Sequence, residues 1–178
     1  MSGPIYRVPP LSRASIRELA LTVRQVLGVD SLHFPIMQVL EFVLPSLEKD
    51  YVFEVGSLGD MGSNHGLTYP ESKTIILRED VYEKALAGSG RDRMTAAHEL
   101  GHLLLHSNVA LARADGMKDI KIYESSEWQA NCFGGELLIP ASHRSEIVMM
   151  DVSKIAERCE VSLEAAEKQF KEMRKLQN

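Results

Sequence analysis

The chain has 178 residues, 44% of them apolar, 25% charged and 6% aromatic, with a formal net charge of −5. That length suits one domain, or one domain with a small appendage, and it can bury a core without disulfide staples. The net negative charge argues against a broad phosphate-binding surface. No run approaches the ~18 consecutive apolar residues of a membrane span, and the N-terminus lacks the apolar region of a secretory signal. Residues 1–10, with three prolines, read as an extended arm. A first helix starts near Ser12, turns Ile16, Leu19, Ala20, Val23 and Leu27 to one side, and ends at Gly28. A second runs from about Pro35 to Leu47 on a stripe of Met37, Leu40, Leu44 and Leu47, and Pro45 inside it predicts a kink or a shortened helix.

Tyr51–Val55, Gly66–Tyr69 and Thr74–Leu77 read as strands, the last two joined by a turn at Pro70–Lys73. They predict a small antiparallel sheet of about three strands. The rest is mostly helical: about 80–87, a long helix from Asp92 to His106, a loop-like stretch over 107–122 around Gly116, a helix from Ser125 to Leu138, and two more near 151–159 and 163–175. Strands in one block and helices in another give an α+β fold. The division expected is an N-terminal helical segment (1–50), a core (51–140) and C-terminal helices (141–178). Cys132 and Cys159 sit in helical contexts as small core residues. A reduced, soluble, cytoplasmic protein is the expectation.

His98-Glu99-Leu100-Gly101-His102 is H-E-x-x-H. Residues four apart on a helix lie on one face, so two imidazoles one turn apart can point at a single Zn²⁺. Glu99, at the edge of that face, can reach an activated water as general base without ligating the ion. Such a site needs a third protein ligand. His106 is four residues further on, but about 12 Å along the axis from His98, which leaves it a supporting role or bonds to carbonyls near the helix end. Leu105 and Asn108 exclude a third histidine in the H-E-x-x-H-x-x-G-x-x-H pattern. The remaining ligand must come from elsewhere: Asp115, Asp119, Glu124, Glu127, Glu136 and His143 are the candidates, with Glu124 and Glu127 preferred because they open a helix built for close packing. The pair Gly134-Gly135 costs that helix ~1 kcal/mol per residue relative to Ala, which close approach of the H-E-x-x-H helix would offset.

Arg93–His106 resembles the R-x-x-x-A-H-E-x-G-H-x-x-x-H block of the ImmA/IrrE-type zinc metallopeptidases. Glu127–Pro140 resembles their E-x-x-A-N-x-F-A-x-x-L-L-x-P block, with Gly134 where the family often has Ala. The resemblance implies a zincin-like domain, a peptidase activity, and one Zn²⁺ held by His98, His102 and Glu127 with Glu99 as base. It also implies a regulatory protein substrate, typically a helix-turn-helix repressor. Val152–Ser162 resembles the first helix and turn of a helix-turn-helix, and without a basic surface it suits packing or protein binding better than direct DNA binding. An extended substrate would pair with Gly66–Tyr69 or Thr74–Leu77. His65 and Tyr69 are candidates to stabilise an oxyanion, though a structural role suits them better. The rival readings are a regulatory protein that keeps the zinc fold and acts by contact, and a component of a toxin–antitoxin system. Glu99 favours the enzyme, since zinc binding alone does not need it.

Overall fold

The computed structural model describes residues 6–107, 112–113 and 120–176, with 112 and 113 described by backbone alone. The chain begins with β1 (Tyr6–Arg7), α1 (Arg13–Val26), α2 (Ile36–Gln38), a π-helical turn (Val39–Val43) and α3 (Leu44–Leu47). Next come β2 (Val52–Gly56), α4 (Leu58–Met61), β3 (Gly66–Tyr69), β4 (Thr74–Arg78), α5 (Glu79–Leu86) and α6 (Gly90–His106). β5 (Ala112–Arg113), a 3-10 turn (Ile122–Glu124), α7 (Ser126–Leu138), a second 3-10 turn (Ala141–His143), α8 (Arg144–Ile147), α9 (Val152–Cys159) and α10 (Leu163–Lys175) complete it. The fold is α+β, as the blocked order of elements predicts. Asp115, Gly116 and Asp119 lie outside the described residues. Among the described residues, no helix is long and apolar enough to cross a membrane.

Local chemistry sets the helix ends. Ser12 Oγ accepts from the Ser15 amide at 3.0 Å and caps α1. The chain leaves that helix through Gly28, whose φ of +65° suits a residue without a Cβ. Where a kink or a shortened helix is expected from Pro45, the helix passes through a π turn. Proline has no N–H to return to the carbonyl one turn back, and just before it the Leu44 amide bonds the Val39 carbonyl, five residues away. The link between β2 and β3 contains the short helix α4, capped by Ser57.

The three-stranded sheet has the order β2-β4-β3 and is mixed, which corrects the expectation of antiparallel pairing throughout. β3 and β4 form the antiparallel hairpin, from Gly66 opposite Leu77 to Tyr69 opposite Thr74. β2 runs parallel to β4, from Val52 beside Thr74 to Gly56 beside Arg78. β4 carries Ile75 and Leu77, both fully buried, and so takes the centre. The tight turn holds β3 to one edge, and the longer link through α4 lets β2 reach the other. Sequence neighbours pair in a sheet only as a tendency. β4 is therefore bonded on both edges, and of the two strands considered for substrate pairing only β3 keeps an edge without a strand partner among the described residues. The N-terminal arm is anchored as well. β1 pairs with β5, and the Val8 and Leu11 amides bond the Glu124 and Tyr123 carbonyls at 2.9 and 3.1 Å.

α6 and α7 pack at the middle of the core. A Cβ on Gly101 would lie 3.1 Å from both the Cα and the carbonyl oxygen of Ala130, so the backbones approach closely there. The glycine pair of α7 divides its work. Gly134 faces α6, where a Cβ would lie 3.0 Å from Met94 Sδ, while Gly135 faces Gln169 of α10. Only Gly134 fits the expectation that both serve the H-E-x-x-H helix. At the start of α6, a Cβ on Gly90 would collide with the backbone of Val161 and Ser162. Arg93, buried in the next turn, donates from Nε to the Glu160 carbonyl (3.0 Å) and from Nη2 to the Phe34 carbonyl (2.8 Å), tying both ends of the chain to α6. Ile155, Cys159, Ala166 and Met173 put α9 and α10 into the same core as Phe34, Leu100 and Phe133. Cys132 and Cys159 are buried and free, and burial pushes both thiols up to about 11, where they are unreactive.

Candidate metal centre

α6 turns His98, His102 and His106 along one face because they recur every fourth residue. The His98 and His102 Nε2 atoms are 3.0 Å apart. α7 starts beside them: Ser125 Oγ caps it by accepting from the Trp128 amide, and Glu127 stands in its first turn. Glu127 Oε1 lies 3.0 Å from His102 Nε2, and Oε2 lies 3.4 Å from His98 Nε2. The three ligand atoms all fall within 4.8 Å of one another, and among the described residues these three side chains form the group that could hold a metal ion.

The donor set fits zinc. Ligands bonded at ~2.0–2.1 Å in a tetrahedron stand about 3.3–3.4 Å apart, within a few tenths of an ångström of the spacings here. Two imidazoles and one carboxylate, with a cleft beside them, are also the composition of a catalytic rather than a structural site. The charges are already coupled. Burial works to raise the Glu127 carboxyl, but hydrogen bonds and charge from His102 and His98 outweigh it and hold the group well below the usual carboxylate range. Burial likewise works to lower His98, but the Glu127 hydrogen bond, the charges of Glu99 and Glu127, and a bond to the Asn131 side chain raise it overall.

Glu99 is buried between α6 and β3. Thr68 Oγ1 lies 2.6 Å from its Oε2 and 3.0 Å from its carbonyl oxygen. Its other oxygen, Oε1, lies against Gly66, where a Cβ would come within 2.6 Å. Only glycine leaves room for the carboxylate at that point. Sequence reasoning did not single out Thr68 or Gly66, and a polar residue and a glycine in a short strand carry no signal that would have done so. Glu99 borders two hollows. A cleft of about 470 Å³ is lined by Gly66–Ser72, His102, His106 and Glu127, with Tyr6 of the arm at its side. A smaller pocket of about 110 Å³ contains His65, Met94, Thr95 and Asn131 together with His98.

The other candidate ligands among the described residues are placed elsewhere. Glu136 is fully buried between Arg13 and Arg17. Glu124 lies 3.2 Å from Arg7 Nη2. His143 Nδ1 lies 3.2 Å from Ser142 Oγ. Asp115 and Asp119 lie outside the described residues. His106 lies between His102 and Gln129: its Nδ1 is 3.0 Å from His102 Nδ1 and its Nε2 is 3.2 Å from Gln129 Oε1. Burial, then the charge of His102, lowers His106 to about 4, so it is neutral near pH 7. Gln129, which sequence reasoning passed over, is buried beside it. His65 borders the small pocket, lowered chiefly by burial, and Tyr69 stands half exposed at the cleft.

The family model described as the IrrE N-terminal-like domain, Peptidase_M78, matches residues 57–171. The match spans β3, β4, α6 and α7, and it ends inside α10. A search among curated proteins finds none that matches the chain. A metallopeptidase family implies a metal cofactor and a protein substrate.

Proposed function

We propose, because the chain belongs to the Peptidase_M78 (IrrE N-terminal-like) family, that it is a zinc-dependent endopeptidase acting on a regulatory protein, such as a helix-turn-helix repressor, in the cytoplasm. The observation that carries the reading is the convergence of His98, His102 and Glu127 beside a buried glutamate that opens onto a cleft. In this reading those three side chains hold the ion. When bound there, zinc supplies Lewis acidity and makes water nucleophilic near neutral pH.

The chain's own residues do the rest. Thr68 donates to Glu99 Oε2 and fixes the carboxylate, leaving Oε1 to take the proton from the attacking water and later return it to the departing amine. The open edge of β3 offers main-chain donors and acceptors to an extended substrate strand, which lays the scissile bond across the end of Glu99. The large cleft then takes side chains on one side of that bond and the small pocket those on the other. Residues 51–140 form the catalytic unit in this reading, with 1–50 and 141–178 packed around it.

The test uses purified protein and the repressor encoded beside its gene. Wild type cuts the repressor and holds one zinc per chain. Glu99→Gln keeps the zinc and cuts ~10²–10⁴-fold more slowly, the usual worth of a general base. Cleavage by Glu99→Gln at the wild-type rate would falsify the hydrolytic role of Glu99. Wild type that binds and relieves the repressor without cutting it establishes the contact-only reading instead.

A further inference from the structure

Gln129, on α7, is 1% exposed, and its neighbours dictate how its amide is turned. Its Nε2 lies 2.8 Å from the Pro9 carbonyl oxygen and 2.8 Å from the Tyr123 carbonyl oxygen. Carbonyls only accept, so both amide protons are committed to them. Turning the amide over would set its oxygen against two carbonyl oxygens. Oε1 therefore faces His106 Nε2, at 3.2 Å, and as an acceptor it requires a proton on that nitrogen. A neutral imidazole has one ring proton, so His106 Nδ1 is bare. That bare nitrogen is 3.0 Å from His102 Nδ1, which must then be the donor. In a neutral ring His102 Nε2 is then left with its lone pair, and it is the atom that faces His98 and Glu127.

We propose that Gln129 and His106 form a hydrogen-bond relay that locks His102 in its Nδ1–H tautomer and so presents the Nε2 lone pair to the metal. Both are positioning residues, acting through His102. The inference rests on reading His98, His102 and Glu127 as the ligands. The opposite tautomer would put a proton between the ligand atoms, where it competes with the ion. Metal-bound histidines depend on such outer hydrogen bonds for ring orientation and basicity. Here the relay ends on the carbonyl of Pro9, in the arm that precedes the family-matched residues, so that arm reaches the metal centre through three successive hydrogen bonds.

The experiment measures zinc affinity of the full chain by chelator competition. His106→Phe and Gln129→Leu should each lose about 10–100-fold. His106→Asn, whose amide oxygen can stand where Nδ1 stood, should recover most of that loss. Circular dichroism without zinc checks that each variant folds. Nitrogen-15 NMR of the wild type reads the relay directly, with or without zinc: His106 should carry its proton on Nε2 and none on Nδ1. A proton on His106 Nδ1 overturns the relay, as does zinc binding within twofold of wild type in folded His106→Phe and Gln129→Leu. Wild type that binds no zinc overturns the ligand assignment instead, and the tautomer of His106 in that metal-free protein still decides the relay.

Discussion

Glu127 and Glu136 stand near opposite ends of α7, and each is held by two basic side chains from another helix. Glu136 is fully buried and meets Arg13 through Oε1 at 3.1 Å and Arg17 through both oxygens, at 2.9 and 3.1 Å. Glu127 meets His102 and His98 at 3.0 and 3.4 Å and keeps 16% of its side chain exposed beside the cleft. The partners make the difference. A guanidinium is always charged and only donates, so Arg13 and Arg17 satisfy Glu136 and close that end into a clamp between α1 and α7. A neutral imidazole keeps one lone pair, so His98 and His102 can either donate to Glu127 or, with their protons turned outward, join it in presenting acceptors to a cation. The same residue on the same helix is thus a structural strut at one end and a candidate ligand at the other.

Exchanging the two carboxylates for alanine should separate the roles, with the largest effect at the metal centre. Glu127→Ala should fall from one zinc per chain to none detectable by metal analysis after dialysis, and lose peptidase activity with it. Its melting temperature should no longer rise when zinc is added, because an ion that binds only the native state stabilises it by mass action. Glu124→Ala, whose carboxylate faces Arg7, should keep its zinc. Retained zinc in Glu127→Ala would remove the distinction between the two ends of α7.

Glu136→Ala should do the reverse. It leaves two guanidiniums facing a buried gap, and breaking such a cluster costs ~3–5 kcal/mol, here toward the lower end because Arg13 and Arg17 are 21% and 14% exposed. Urea denaturation measures the loss, and zinc bound per folded chain should not change. If stability holds within about 1 kcal/mol, the clamp is not what joins α1 to α7.

Two glycines sharpen the comparison further, since they set the α6–α7 spacing on which both ends depend. Gly101→Ala would press a methyl to 3.1 Å from the Ala130 backbone, which cannot move aside. A loss of ~1–3 kcal/mol is expected despite the gain in helix propensity, together with weaker zinc binding as α7 shifts from α6. Gly134→Ala meets the flexible end of Met94 instead, with the backbone of α6 at 3.5 Å or more. Its stability should stay within about 1 kcal/mol of wild type, because strain and helix propensity offset each other. Chemical denaturation of the two variants side by side checks both, and equal losses would mean that the approach is governed by something other than backbone contact at Gly101.

Much of the chain was legible from local signals. Ser12 and Gly28 bracket α1 because capping and a left-handed exit are short-range effects. The four-residue spacing of His98, His102 and His106 is enough to place them on one face of α6. Other features had no local signature. Pro45 announced a distortion, but a π turn and a kink answer the same missing N–H. Strand alternation marked β2 as a strand without saying which neighbour it would join or in which direction. Gln129 reads as an ordinary polar helix residue until Pro9, Tyr123 and His106 close around it.

By itself the sequence determined the α+β class and the helix that carries H-E-x-x-H, and its two family-like blocks single out Glu127 among six candidates as the expected third ligand. Periodicity, caps and motif spacing act over a few residues, so they survive in a linear reading. Only the tertiary structure decided that β3 is the edge strand beside Glu99, that Thr68 and Gly66 shape its carboxylate, and that Glu136 answers to Arg13 and Arg17 while Glu127 answers to two histidines. Those outcomes depend on distances of a few ångströms between segments far apart in the chain. Burial of β4 and the close approach of α6 to α7 set those distances, and no short stretch of sequence records them.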